Sequence, residues 1–261
     1  MTAIIALPLL ILLLGYANPA VFSVFLTIIL FLSLIEFNRI GLGCEHRFEQ
    51  WIAASIGAAV IPIQFYENIA LIFPLYTVAI LFLSLLFLFR LSEITVVHYR
   101  LGWITLGLVY LPFLLSHLML LRLLPDGRQW IFMTLIVIMS CDSFAYFVGR
   151  KFGKRKLYQA VSPNKTIEGG LGGLVGAVFA IMLVKFTFLP ILGFLDAVLI
   201  GLFLGVMGQL GDLFESLLKR ACQVKDSGGI IPGHGGMLDR LDSLLFAFPV
   251  VYYLARYCYG G

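Results

Sequence analysis

The sequence predicts an all-α fold, a polytopic transmembrane helical bundle of about nine spans with its polar chemistry gathered at the cytoplasmic face of the C-terminal half. Three observations predict it. Of 261 residues, 61% are hydrophobic and only 12% charged, whereas a soluble domain is about half apolar and roughly a quarter charged. The mean hydropathy is +1.02, and the apolar residues fall into runs of membrane length. The basic residues crowd alternate segments between those runs.

The apolar runs lie at about 3–17, 20–36, 51–66, 68–89, 101–121, 130–148, 170–188, 191–211 and 240–257. A helix needs roughly 20 residues to cross a ~30 Å hydrocarbon core, so the first two runs, parted by Gly15 and the Asn18-Pro19 turn, are short. The first has no positively charged leader and continues into more apolar chain, so it reads as an anchoring or spanning helix rather than a cleaved signal. No repeat, low-complexity tract or linker divides the chain. It reads as one membrane domain, with N-terminal helices over 1–121 and a polar-motif region over 122–261.

Orientation follows from lysine and arginine, which stay on the cytoplasmic side in short loops. With the N-terminus inside, the cytoplasmic loops are 37–50, 90–100, 149–169 and 212–239, and inside outnumbers outside by about four to one. The expected topology is N-in and C-out in the cytoplasmic (inner) membrane.

A formal net charge of +4, scattered over short segments, excludes a nucleic-acid partner, whose binding surface would be a solvated basic face. The four cysteines, Cys44, Cys141, Cys222 and Cys258, show no CxxC spacing and read as free thiols. Gly169/Gly173, Gly172/Gly176 and Gly201/Gly205 have the small-xxx-small spacing that lets membrane helices approach closely.

Three segments carry polar residues that loop solvation does not explain. Asp142 precedes Arg150 by eight residues, which at 1.5 Å per residue sets its carboxylate roughly 12 Å inside the bilayer. A charge there costs about 2.5 to 3.5 kcal/mol, so it needs a partner, a cation or a water-filled cavity, and a structural salt bridge or a protonated acid is the competing reading. The segment 149–170 has six basic residues in the sixteen positions from Arg150 to Lys165. Adhesion to anionic headgroups accounts for such a cluster; Ser162, Asn164, Lys165 and Thr166, just ahead of a helix start, suit a polyanion instead.

The third segment, 211–243, is the densest. Asp212, Glu215, Ser216 and Lys219 fall at i, i+3, i+4 and i+7, one face of a helix. A glycine-rich, proline-broken loop follows from Gly228 to Gly236, with Gly228, Gly229, Gly233, His234, Gly235 and Gly236, whose backbone amides can cradle anions. Asp239 and Asp242 bracket Arg240 before the last apolar run. Two carboxylate pairs around a glycine loop and several cations are what a magnesium-nucleotide site requires; helix capping is the competing role for Asp239. His234 is a loop residue whose type suits either structure or proton transfer.

At this segment the sequence resembles the phosphatidate cytidylyltransferases, or CDP-diacylglycerol synthases. Their signature has its elements here in Ser216-Leu217-Leu218-Lys219-Arg220, Lys225-Asp226, Pro232-Gly233-His234-Gly235-Gly236 and Asp239-Arg240-Leu241-Asp242. Cys141 to Tyr146, Gly149 to Lys154, Ser162 to Thr166 and Glu168-Gly169 also look like the family's, so the resemblance covers about 140–243. It implies transfer of CMP from CTP to phosphatidic acid, giving CDP-diacylglycerol and pyrophosphate, with membrane lipid around the site and a homodimer left open. By the same resemblance Asp212 and Asp239 hold Mg²⁺, with Asp142 and Asp242 as further candidates and room for a second cation. Lys165, Lys219, Arg220, Lys225 and Arg240 neutralise phosphates; Ser162, Thr166 and the glycine loop supply neutral donors; Asn164, Glu215, Ser216 and Asp226 complete the substrate-binding set. A CTP-dependent lipid kinase, a cytidylyltransferase for another lipid phosphate, and a transporter using the aspartates as a cation relay are the rivals.

Overall fold

In the computed structural model, which describes residues 13–43, 45–90, 94–229 and 235–260, the chain is helical apart from one short ribbon. The helices are α1 (Pro19–Leu42), α2 (Arg47–Ala58), α3 (Val60–Phe65), α4 (Ile72–Phe89), α5 (Val97–Leu123), α6 (Gly127–Phe152), α7 (Ile167–Thr187), α8 (Phe194–Ala221) and α9 (Asp242–Cys258). Single 3₁₀ turns sit at Ile69–Leu71, Ile94–Val96 and Leu238–Arg240. Among the described residues six segments are long and apolar enough to cross a membrane: Pro19–Leu42, Ile69–Phe89, Ile94–Leu123, Gly127–Phe152, Ile167–Thr187 and Phe194–Ala221. Their outward side chains, Phe73, Phe89, Phe147 and Phe186 among them, are large, apolar and exposed. Lipid, not water, is the solvent for such a surface, and the protein is an integral membrane protein.

Three of the nine expected spans are not among these six. The run at 3–17 lies largely outside the described residues. The run at 51–66 is broken at Ala59 into a 12-residue and a 6-residue helix. Pro62 explains the break: its ring clashes with the carbonyl of residue 58 and it has no N–H to donate. The run at 240–257 forms a 17-residue helix that starts only at Asp242.

The described residues fall into two compact units, Met1–Leu123 with Asp226–Leu238, and Leu124–Lys225 with Asp239–Gly261. In the first unit α1 packs against α2, α3 and α5. Asn18 caps α1 by accepting from Val21 N at 2.8 Å, Pro19 fills its first turn, and Gly43 at φ +74° ends it, the arrangement that fixed φ at a start and left-handed freedom at a stop favour. Trp103 of α5 stacks on Phe37 with ring centroids 4.7 Å apart and donates to the Phe37 carbonyl at 2.9 Å.

In the second unit α7 packs along α6 and α8, and α9 along α8 and α6. Glycines allow the close approach: a Cβ at Gly173 would lie 3.0 Å from the Cys141 carbonyl oxygen, and one at Gly205 3.1 Å from Ala177 Cβ. A feature absent from the sequence reading precedes α7. Lys156–Tyr158 (β1) and Ser162–Thr166 (β2) pair antiparallel, Lys156 opposite Thr166 and Tyr158 opposite Ser162, with a register shift between. The described cysteines, Cys141, Cys222 and Cys258, are free.

Candidate active site

The ribbon fixes the first cation. β2 runs straight into α7, whose N-cap is Thr166; its Oγ1 accepts from Gly169 N at 3.1 Å. Thr166 is buried, with Gly149, Gly153 and Gly169 closed around its side chain, so its hydroxyl serves the helix end. Glu168, in the first turn, accepts from the backbone amides of Lys154 and Arg155 at 3.0 and 3.1 Å. These bonds tie the basic segment to the start of α7. With its neighbour Thr166 held, Lys165 extends to α8, its Nζ 2.6 Å from Asp212 Oδ2.

The stripe expected on α8 is present. Ser216 Oγ donates to Asp212 Oδ1 at 3.4 Å, and Lys219 Nζ donates to Glu215 Oε1 at 3.0 Å. Lys219 also reaches out of its own helix to Asp239 Oδ1 at 2.7 Å. These side chains are well shielded: Glu215 is 2% exposed, Lys219 12% and Asp239 14%. The Lys165–Asp212 pair is more open, at 27% and 29%.

Two further carboxylates face this cluster. Asp142 of α6 feels Asp212, Lys165 and the Ser243 hydroxyl; Asp242, at the start of α9, feels Asp212, Asp142 and Lys219. Asp242 Oδ1 accepts from the amide of Ser243 at 2.6 Å, at the start of α9. Arg220 Nε donates to the Val161 carbonyl at 3.3 Å, between the strands of the ribbon, and its other arm donates to the Val224 carbonyl at 3.3 Å. Within one unit, then, five carboxylates (Asp142, Asp212, Glu215, Asp239, Asp242) and two ammonium groups (Lys165, Lys219) converge from α6, β2, α8, the Leu238–Arg240 turn and α9. In a low-dielectric interior these like charges repel strongly unless cations hold them, and two of the carboxylates are held by lysines from other elements.

The remaining expected residues are placed more loosely. Asn164, Lys225, Asp226 and Arg240 are exposed, and Ser162 is half-buried. Gly233 and His234 lie outside the described residues. Gly235 has φ +82°, and Gly236 is buried against Ser227 and Glu36. Glu36, in α1, was not singled out from the sequence, nor was Gln209, whose amide joins α8 to α7 by donating to the Gly170 carbonyl at 3.1 Å. The available signal for Glu36 was a lone acid inside an apolar run.

The family resemblance implies a magnesium ion at these carboxylates. Among the described residues no three carboxylate, imidazole or thiol groups come together closely enough to hold a metal by themselves. Mg²⁺ does not require such a cage: it binds through one or two carboxylates, substrate phosphates and water. Hard oxygens on Asp142, Asp212, Asp239 and Asp242, with Glu215 Oε2 buried and without a hydrogen-bond partner, suit that mode.

The chain is similar to several known proteins. Over 155 residues the chain is 51% identical to a phosphatidate cytidylyltransferase of Bacillus subtilis, covering 59% of this chain and 57% of that protein. It is 44% identical over 126 residues to a phosphatidate cytidylyltransferase of Staphylococcus haemolyticus, 48% of each chain. It is also 41% identical over 157 residues to an uncharacterized protein, YnbB, of Escherichia coli, 58% of this chain and 52% of that one. The matched region spans about half the length of each of these curated relatives. The sequence profile of the cytidylyltransferase family matches residues 1–258, and the chain belongs to that family.

Proposed function

We propose that the protein transfers CMP from CTP to phosphatidic acid, releasing pyrophosphate and leaving CDP-diacylglycerol in the membrane. The observation that carries this reading is the Lys219 ammonium held between Glu215 and Asp239, beside Lys165 on Asp212, in a chain of the cytidylyltransferase family. The names of the Bacillus and Staphylococcus relatives supply the lipid acceptor.

The chemistry asks little of a general base. The phosphate monoester of phosphatidic acid is already an anion at neutral pH, so its oxygen attacks the α-phosphorus of CTP directly and the bond to pyrophosphate breaks. The barrier is the approach of two polyanions, and fixed positive charge lowers it. Lys165 and Lys219 exchange part of their carboxylate contact for phosphate oxygens as substrates enter, and Arg220, Lys225 and Arg240 add charge at the rim. Asp212 and Asp239 would hold Mg²⁺, with Asp142 and Asp242 as further ligands for it or for a second cation. When bound, the metal supplies Lewis-acid neutralisation of charge on the triphosphate.

The acyl chains stay in lipid while the headgroup meets CTP. By the distribution of basic residues the site faces the cytoplasm of an inner membrane, with the N-terminus inside and the C-terminus outside. Nine crossings satisfy that polarity when segment 3–17, the broken 51–66 segment and α9 are counted with the six long helices.

The test is pyrophosphate release and lipid product by purified protein in nanodiscs containing phosphatidic acid, with Mg²⁺ and each nucleoside triphosphate in turn, beside Asp239→Asn. Release that needs both CTP and phosphatidic acid and collapses in the variant is the expected result. CDP in place of pyrophosphate identifies a lipid kinase, and no turnover with any nucleotide by well-folded protein refutes nucleotide transfer.

A further inference from the structure

Glu36 is a carboxylate in the middle of an apolar helix, 2% exposed, and its partners lie about two hundred residues along the chain. Oε2 accepts two hydrogen bonds, from Leu238 N at 2.9 Å and from Ser227 Oγ at 3.3 Å. Those donors stand at the two ends of the glycine-rich segment, so one oxygen closes the base of the loop. Two glycines of the segment are shaped to the same group: a Cβ at Gly228 would sit 2.6 Å from Oε1, and one at Gly236 would sit 2.6 Å from Oε2. All of these residues belong to the first compact unit. Among the described residues Oε1 has no hydrogen-bond partner.

Burying a carboxylate without full satisfaction is costly, and the fold of α1 does not need it, since an apolar side chain fills the same turn at no such cost. Among the described residues, the hydrogen bonds it accepts are long-range and come from the two ends of this segment. Leu238 also opens the 3₁₀ turn that carries Asp239, so the Glu36–Leu238 bond fixes the backbone one residue before a proposed metal ligand.

We propose that Glu36 is the positioning residue of the glycine loop: by accepting from both Ser227 and Leu238 it clasps the loop's base and sets the backbone that leads into Asp239. The clasp stands on its own geometry, while its consequence for turnover rests on the function proposed above. Its acceptor role uses one oxygen, so a glutamine, with one amide oxygen, can take it over; a cation ligand or a proton carrier cannot be replaced in that way.

The experiment is hydrogen–deuterium exchange of full-length protein in nanodiscs, read on peptides covering 226–240, for wild type, Glu36→Ala, Glu36→Gln and Ser227→Ala, with turnover measured in parallel. Loss of two hydrogen bonds raises exchange of this segment about 10- to 100-fold in Glu36→Ala, with α6–α8 peptides unchanged. Ser227→Ala, missing one donor, gives a smaller rise in the same peptides. Glu36→Gln keeps protection within about threefold and recovers turnover lost in the alanine variant. Wild-type exchange rates in Glu36→Ala overturn the clasp, and so does a glutamine variant as impaired as alanine. Wild type inactive with every nucleotide refutes the proposed reaction and leaves the exchange comparison standing as the test of the clasp.

Discussion

Lys219 Nζ and Asp239 Oδ1 stand 2.7 Å apart, joining the last turns of α8 to the 3₁₀ turn ahead of α9. The chain departs for the first unit after Lys225 and returns at Asp239, and this ion pair closes that excursion. The same ammonium bonds Glu215 Oε1 at 3.0 Å, so one positive charge holds two carboxylates that would otherwise repel.

Removing that charge is more damaging than its contacts alone suggest. Lys219→Met leaves two shielded carboxylates with no cation between them, and uncompensated buried charge costs about 3 to 5 kcal/mol. The expected result is a lower unfolding midpoint in detergent together with a fall in turnover of about a hundredfold or more. Lys219→Arg restores charge and most of the stability, but its planar fork does not reproduce the point contact. A methionine variant as stable as wild type would show that the pair is solvated and weak.

Asp212 is the more open of the lysine-held carboxylates, so its effect falls on metal handling more than on folding. Asp212→Asn keeps the side-chain volume and removes the charge that attracts both Lys165 and Mg²⁺. The Mg²⁺ concentration for half-maximal turnover is expected to rise on the order of tenfold, with a loss of stability below the ~3 to 5 kcal/mol of a fully buried pair, because this one is partly open. A titration of turnover against free Mg²⁺ reads the shift.

Metal removal gives an independent check. Chelation is expected to abolish turnover and added Mg²⁺ to restore it, whereas Ca²⁺, which takes longer bonds and more ligands, restores little. Helicity by circular dichroism stays constant throughout, because the lysines already hold Asp212 and Asp239 in the metal-free fold.

Residues close in sequence were the legible ones. Asp212, Glu215, Ser216 and Lys219 declare their common face through helical spacing, and the long apolar runs announce six of the helices. The break at Ala59 was not legible: Pro62 stands in an apolar run, but so do Pro112 and Pro249, which lie inside unbroken helices. Nor was the 156–166 ribbon, because two exposed strands of three and five residues have no apolar alternation to betray them. Glu36 was not legible either. Its partners are set by tertiary packing, and the glycines that fit it, Gly228 and Gly236, read from sequence as an anion cradle.

Thr166 separates a cap from a ligand. Its hydroxyl accepts from Gly169 N, so Thr166→Val, which keeps the shape and removes the oxygen, is expected to destabilise by about 1 kcal/mol in a denaturant titration. Thr166→Ser restores the cap and the stability. A serine variant that stays destabilised would show that the methyl group against Gly153 contributes beside the cap.

Glycine-to-alanine changes have opposite expected signs at two helical positions. Gly102 of α5 has nothing within 4 Å of where a Cβ would be, so Gly102→Ala collects the propensity gain of up to about 1 kcal/mol. Gly173 of α7 faces the Cys141 carbonyl oxygen at 3.0 Å and Ala145 Cβ at 3.1 Å, and a carbonyl of a packed helix moves only if the helices separate. Overpacking costs about 1 to 3 kcal/mol, which exceeds the propensity gain, so Gly173→Ala is expected to destabilise and Gly173→Val to do so further. Unfolding midpoints of the three variants in one detergent decide it: a stabilised Gly173→Ala would mean that the α6–α7 contact is looser than these distances require.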